Sequence, residues 1–422
     1  MRTGVHVKLM VICTLLLSAV CVINAQNISG SITGTVRDAG GAVIPNVVVK
    51  LEQPATGLTR EAVTTDKGDF VFTALYAGEY KLSAHANGFK RLERGNIKLT
   101  TAEYLSVGDL TLEIGNVGET VTITAQNDTV QTASAERAGV ITSQQVENLL
   151  IRGRNVMSLL QLLPGVVDLG DQESISRDWN LNVNGGRRAN NGVSLDGVAL
   201  NAIGNNYNMV VGISQDAVAE VKVLLSNYQA EYGRMSGANI QLVTKSGTKQ
   251  FHGLGSYFKR HEQFNANNFF NNQLNQPKPR YRFNTWNYNI GGPVYLPKLF
   301  NRNKDKLFFF WSQEYWPQRV SRPLSQLTVP TDLERQGDFS QSLDLNGRPR
   351  VIRDPTTGQA FPGNRIPANR INPNGQALLK FFPAANFPDR AVSAGRYNYV
   401  FQTENTTPQR TETLKLDYHL NP

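Results

Sequence analysis

From residue 251 onward the chain alternates with a period of two, and aromatic side chains mark the alternation. Trp286, Tyr288 and Ile290 fall on one face of a strand against Thr285, Asn287 and Asn289 on the other. Leu307, Phe309 and Trp311 repeat the pattern beside Lys306 and Phe308, and Leu414, Leu416, Tyr418 and Leu420 repeat it against Thr413, Lys415, Asp417 and His419. Such strands fit a lipid-facing exterior and a polar interior. Five candidates emerge, at 251–260, 281–292, 305–316, 396–403 and 411–420, and their connections alternate between long (261–280, 317–395) and short (293–304, 404–410). Five strands cannot close a membrane barrel, for which about eight is the minimum.

A water-soluble antiparallel sheet alternates too, so the pattern takes its meaning from what precedes it. Arg2 and Lys8, the mostly apolar run Leu9 to Ile23 and the small residues before Gln26 have the layout of a secretory signal over residues 1–25. That run is about 15 residues, short of the roughly 20 that cross a bilayer as a helix. Both cysteines, Cys13 and Cys21, lie inside it, which removes disulfides and thiolate metal sites from the mature chain. Over the whole chain, 40% hydrophobic content with 18% charge is enough for packed cores. Residues 251–422 hold 22 Lys and Arg against 12 Asp and Glu, but the bases are scattered and no stacking patch accompanies them. Nucleic acid is therefore not expected as a partner, whereas anionic outer-membrane glycolipid such as lipopolysaccharide is.

Residues 28–114 read as about seven short strands with regular turns, a small Ig-like β-sandwich. Gly34-Thr35-Val36-Arg37-Asp38, Thr65-Asp66-Lys67-Gly68-Asp69-Phe70, Gly78-Glu79-Tyr80 and Asn87-Gly88-Phe89 resemble the carboxypeptidase regulatory-like domain, a transthyretin-like or starch-binding-like sandwich. Peptidase chemistry does not follow. His85, His252, His261 and His419 offer neither H-x-x-E nor H-E-x-x-H, so no metal site and no catalytic residues are expected. A bound cofactor is not expected either.

Beyond the sandwich, Thr142 to Gln145 form a capping-box start with Val146, Leu149 and Leu150 at helical spacing, and Asn155 opens a second helix carrying Val156, Leu159, Leu160 and Leu163. Asn184-Gly185-Gly186-Arg187-Arg188, leading to Val193-Ser194-Leu195-Asp196-Gly197, resembles the plug of TonB-dependent receptors, with Asn184-Gly185 standing where that family has Arg-Gly. The segments 217–225, Ala230-Glu231-Tyr232-Gly233-Arg234 and 238–247 follow the same family, and Phe251-His252-Gly253 resembles its Oar-like group.

Between sandwich and plug, Glu119, Thr120, Val121, Thr122, Ile123, Thr124 and Ala125 form a β-branched segment that resembles a TonB box. Such a box adds as a strand to the sheet of an energy-transducing periplasmic protein. Taken alone, it also reads as an ordinary last strand.

The resemblance implies a mainly β chain: signal 1–25, sandwich 26–115, box 116–126, an α+β plug 127–250, and the first strands of an incomplete transmembrane barrel over 251–422. The chain is expected to be the N-terminal part of a longer outer-membrane receptor. It would move a solute, with carbohydrate one class considered, into the periplasm with a TonB-type partner. Gly185, Gly186, Arg187, Arg188, Asp196 and Gly197 are its expected plug motif. The rival expectation is a surface adhesion or carbohydrate-binding protein, for which Tyr76, Tyr80, Phe89 and Tyr104 are the aromatic candidates.

Overall fold

The computed structural model describes residues 28–115, 120–124, 134–151, 153–169, 180–204, 206, 209–233, 235–273, 277–322 and 324–419. The expected signal, Glu119 and Ala125 lie outside them. The chain divides into two compact units, one of residues 1–256, 287–314 and 411–422, the other of 257–286 and 315–410.

In the first unit the sandwich is built from β1 (Gly30–Asp38), β2 (Val48–Gln53), β3 (Leu58–Val63), β4 (Asp69–Leu75), β5 (Gly78–His85), β6 (Arg91–Leu99), β7 (Tyr104–Leu112) and β8 (Thr120–Thr124). Alternate residues of these strands point inward, so Ile32, Val36, Leu51, Phe70, Phe72, Tyr80 and Leu82 meet between the sheets. Each fully buried side chain of this size contributes roughly 1.5–3 kcal/mol. The buried Tyr80 hydroxyl donates to the Tyr76 carbonyl at 2.7 Å, which satisfies its one polar atom. Gly68 closes the turn before β4 at φ 77°, and a Cβ there would lie 2.7 Å from the Val36 carbonyl oxygen.

One sheet has the order β4-β1-β7, the other β3-β2-β5-β6-β8. The sandwich therefore does not end at residue 115. Thr120–Thr124, expected as a separate segment, pairs parallel with Arg91 to Gly95 of β6 as the sheet's last strand. Its unbroken β-branched composition suits a pleated sheet as well as it suits a recognition segment, and sequence pattern does not separate the two.

The plug follows as β9 (Arg137–Ile141), α1 (Ser143–Asn148), a 3₁₀ segment Val156–Leu162, β10 (Val166–Asp168), β11 (Leu181–Val183), β12 (Gly192–Leu195), β13 (Val198–Ala199), β14 (Val218–Ser226) and β15 (Asn239–Thr244). Its main sheet has the order β13-β12-β15-β14-β9, with β12 and β15 parallel. The capping box of Thr142 and Gln145 is present, but α1 stops after one and a half turns. Only Val146 of its expected apolar face is buried; Leu149 and Leu150 are exposed. Asn155 caps the next segment as expected, with Val156, Leu159 and Leu160 in the plug core, although the helix is of the tighter 3₁₀ kind.

Four long strands complete the sheet system: β16 (His252–Arg260), β17 (Tyr281–Pro293), β18 (Leu307–Ser321) and, after β19 (Ser325–Leu327) and β20 (Tyr399–Phe401), β21 (Glu404–Tyr418). They form an open sheet in the order β16-β17-β18-β21. The expected strand at 396–403 is not one of them. Tyr399–Phe401 pairs with Ser325–Leu327 inside the long connection, and the fourth wall strand begins earlier than expected, at Glu404. The expected inversion of polarity is present in part: Trp286, Tyr288, Leu414, Leu416 and Tyr418 are exposed while Thr285, Asn287, Ser312 and Glu314 are buried, but Phe308 and Phe310 of β18 are buried as well and Leu307, Phe309 and Trp311 are only half-exposed. No helix among the described residues is long and apolar enough to cross a membrane, which leaves crossing by strands open.

In the second unit asparagine side chains stand in for strand partners. Asn398 exchanges hydrogen bonds with the backbone of Val329 at 2.7 and 2.8 Å, and Asn364 donates to the carbonyls of Phe339 and Arg350. Arg282 grips both carboxylate oxygens of Glu262 and holds that carboxyl down to about 2. Because the folded value is depressed, the pair is intact at neutral pH and is lost only as pH falls through about 2.

Two measurements check these points. A fragment of residues 26–124 should protect the β6 amides of residues 91–95 from exchange better than a fragment of 26–115, because the shorter one lacks the β8 ladder; equal protection would contradict the pairing. In the whole protein, carboxyl NMR should place the Glu262 midpoint near 2, and Arg282→Gln should return it toward the ordinary glutamate range.

Candidate functional site: the plug and its attachments

The residues with the richest chemistry lie where the plug meets its neighbours in the first unit. Gly153 and Arg154 both take positive φ, 88° and 56°, a turn that presents the Arg154 guanidinium to the wall strands. Its Nη2 donates to Asp216 Oδ2 at 2.7 Å, and its Nε and Nη2 donate to Glu314 Oε2 of β18 at 3.2 and 3.1 Å. Ser214 donates to the same Glu314 oxygen at 3.1 Å and accepts from Asn287 Nδ2 of β17 at 2.8 Å. Ser256 of β16 donates to Asp216 at 3.2 Å. Arg154 and Glu314 are at most 9% exposed, so one cation holds two carboxylates out of water, and three wall strands make polar contacts to the plug here.

A second buried cation sits on the opposite side of the plug sheet. Lys222 of β14 is 2% exposed; its Nζ donates to Glu136 Oε1 at 2.8 Å and to the Ala102 carbonyl of the sandwich at 3.2 Å. Glu220, two residues earlier on β14, accepts from the Thr101 backbone N–H at 2.6 Å. Ala102, Leu224 and Tyr232 pack beside these contacts, and burial pushes the Tyr232 hydroxyl above its ordinary value. The β6–β7 turn of the sandwich is thus docked on β14 of the plug sheet.

The expected plug motif is divided between two places. Asn184 and Gly185 form a left-handed pair at φ 49° and 74° after β11, with Gly186, the exposed Arg187 and the half-buried Arg188 following. Asp196 and Gly197, at φ 47° and 84°, are the two-residue turn of the β12–β13 hairpin. Asp196 also accepts from the backbone and hydroxyl of Thr244 at 3.0 and 2.5 Å and pairs with Lys415 of β21 at 3.6 Å. That turn therefore ties β15 to the wall.

Three residues of the wall contact, Arg154, Asp216 and Glu314, escaped sequence reading. The signal available was Arg152-Gly153-Arg154, a doubly basic glycine turn between two apolar segments. Gly247, at the exit from the plug, is equally constrained: a Cβ there would come within 3.0 Å of backbone atoms of Phe309 and Gly292. Among the described residues no cluster of His, Asp and Glu could hold a metal ion. Of the four aromatic candidates for glycan contact, Tyr80 is core, Phe89 packs against the core, Tyr104 is half-buried, and Tyr76 is exposed.

Family models match the three parts in order: a carboxypeptidase regulatory-like domain at residues 31–113, a TonB-dependent receptor plug domain at 129–239 and an outer membrane beta barrel domain at 243–422. The chain belongs to the TonB-dependent receptors. Its sequence is 25% identical over 345 residues to the TonB-dependent transporter Oar of Myxococcus xanthus, a match covering 76% of this chain and 30% of that protein. The receptor thus spans about a third of that relative's length. Among solved structures it resembles the siderophore receptor PirA of Acinetobacter baumannii (16% identity, TM-score 0.31, 44% of this chain and 28% of that one). It also resembles the outer membrane transporter YddB of Escherichia coli (14%, 0.35, 46% and 27%). The domain set places the receptor in the outer membrane of a Gram-negative-type cell.

Removing the shared cation is the sharpest test of the wall contact. Arg154→Met should destabilise the receptor by about 3–5 kcal/mol, because two carboxylates are left buried without a partner. Adding Glu314→Gln and Asp216→Asn should restore most of it. Denaturant unfolding of the three variants gives the comparison, and a fully stable single variant would show that the cluster carries no load.

Proposed function

We propose that the receptor carries a solute across the outer membrane into the periplasm, driven by a TonB-type partner that engages Glu119 to Ala125. The observation that carries this reading is the polarity of the plug's attachment. Arg154, Asp216, Ser214, Asn287, Ser256, Lys415 and Asp196 join plug to wall through hydrogen bonds and ion pairs. Groups of this kind can be rehydrated when separated, whereas an apolar interface would have to expose hydrophobic surface to water. A plug held this way suits repeated displacement.

The rest of the chain fits that role. Residues 1–25 serve as the export signal, the aromatic exterior of the wall strands sits in lipid and against lipopolysaccharide, and solute is met by the connections between wall strands. Gly185, Gly186, Arg187 and Arg188 line the plug surface as solute-side positions, and Asp196 and Gly197 anchor the β12–β13 turn. Carbohydrate is the class of solute considered for this chain. An adhesion role has less support, since a glycan platform normally stacks several aromatics and Tyr76 is the one well-exposed candidate.

Deleting Glu119 to Ala125 from the full-length receptor should abolish energised uptake and leave solute binding at the cell surface unchanged. Uptake at the ordinary rate in that deletion would refute the role given to the segment.

A further inference from the structure

We infer that Thr120–Thr124 receives its periplasmic partner without leaving the sandwich, so that the partner's sheet is continued through β8 into β6. This rests on the reading of residues 119–125 as the partner's binding segment and adds how that segment is presented. The five residues pair in register with β6, from Arg91 opposite Thr120 to Gly95 opposite Thr124. A strand sends its N–H and C=O groups alternately to its two sides, so pairing with β6 uses one set and leaves the other. Among the described residues no strand covers that second side, because β8 ends the sheet.

The composition of the edges points the same way. Exposed strand edges are normally guarded by charge, proline or a bulge. Here β3 carries Arg60 and Glu61 and β4 carries Asp69, while β7 carries Asp109 beside a register shift at Gly108. The segment Thr-Val-Thr-Ile-Thr has none of these guards. An unguarded β-branched edge is a template for another strand, and its occupant is the edge strand of a periplasmic sheet. Peeling β8 away first would break its ladder and uncover the core on the β6 side, where Leu92, opposite Val121, is 2% exposed. Adding a strand to the outer side breaks nothing. A pull along β8 then loads its whole parallel ladder in shear and moves the sandwich with it.

A disulfide across the ladder decides between addition and release. Glu93 and Thr122 are directly opposed. Glu93→Cys with Thr122→Cys in the full-length receptor, with any other cysteine of the mature protein replaced by serine, should form one bond on oxidation. The probe is the purified periplasmic domain of the TonB-type protein from the same organism. Its affinity should agree within about threefold between the oxidised and reduced forms, a difference under ~1 kcal/mol. Loss of tenfold or more on oxidation, restored by reductant, would show that β8 must be released and would overturn the inference. Failure of the cysteines to couple would overturn the pairing on which it stands. The deletion of residues 119–125 is the separate control: if it binds the probe as well as the unaltered receptor does, the binding-segment reading itself fails, whatever the disulfide does.

Discussion

Glu314 is a carboxylate on the buried side of a strand whose other side is apolar, and such a charge is tolerated only with a cation held against it. Arg154 supplies that cation, which obliges the plug to present it and the turn at Gly153 to bend through positive φ to aim it. The same requirement spreads outward. Asn287 and Ser256 face inward on neighbouring wall strands and Ser312 on Glu314's own strand, while the exterior positions are taken by Trp286, Tyr288 and their apolar companions. The inward side of that strand is mixed, with Phe308 and Phe310 buried beside Ser312 and Glu314, so the wall does not suit a purely hydrophobic partner. It needs a partner with a polar rim around an apolar core, and the plug is built that way, with Val221, Val223, Ile240 and Leu242 inside and Ser214, Asp216 and Asp196 at the margin.

Much of this was legible in the residues. Period-two alternation reports which faces differ in polarity, and it located β17, β18 and most of β21 because their faces differ strongly. It misplaced the fourth wall strand for the same reason. Residues 404–410, Glu-Asn-Thr-Thr-Pro-Gln-Arg, are polar throughout, so β21 starts in a stretch with no contrast, while Tyr399–Phe401 shows aromatic alternation yet pairs locally with β19. Local signals did better: the capping box at Thr142 and the Asp196-Gly197 turn depend on a few neighbouring residues and are present as the chemistry requires. What sequence could not supply is pairing at a distance. That Glu314 meets Arg154, or that β8 returns to β6, follows from how the chain comes together, and neither residue type nor spacing records it.

The two buried cations also differ in what they join. Arg154 links plug to wall, whereas Lys222 links β14 of the plug to the sandwich and to Glu136, the residue just ahead of β9. Glu136 lies on the chain that follows β8, and it is held in this ion pair. Displacing the start of β9 from β14 must part Glu136 from Lys222 before the β9–β14 ladder opens, and it must do so where both groups are 2% exposed. The ammonium retains its hydrogen bond to the Ala102 carbonyl only while the sandwich stays docked. Movement of β8 with the sandwich attached, and movement of the linker toward β9, therefore converge on one side chain.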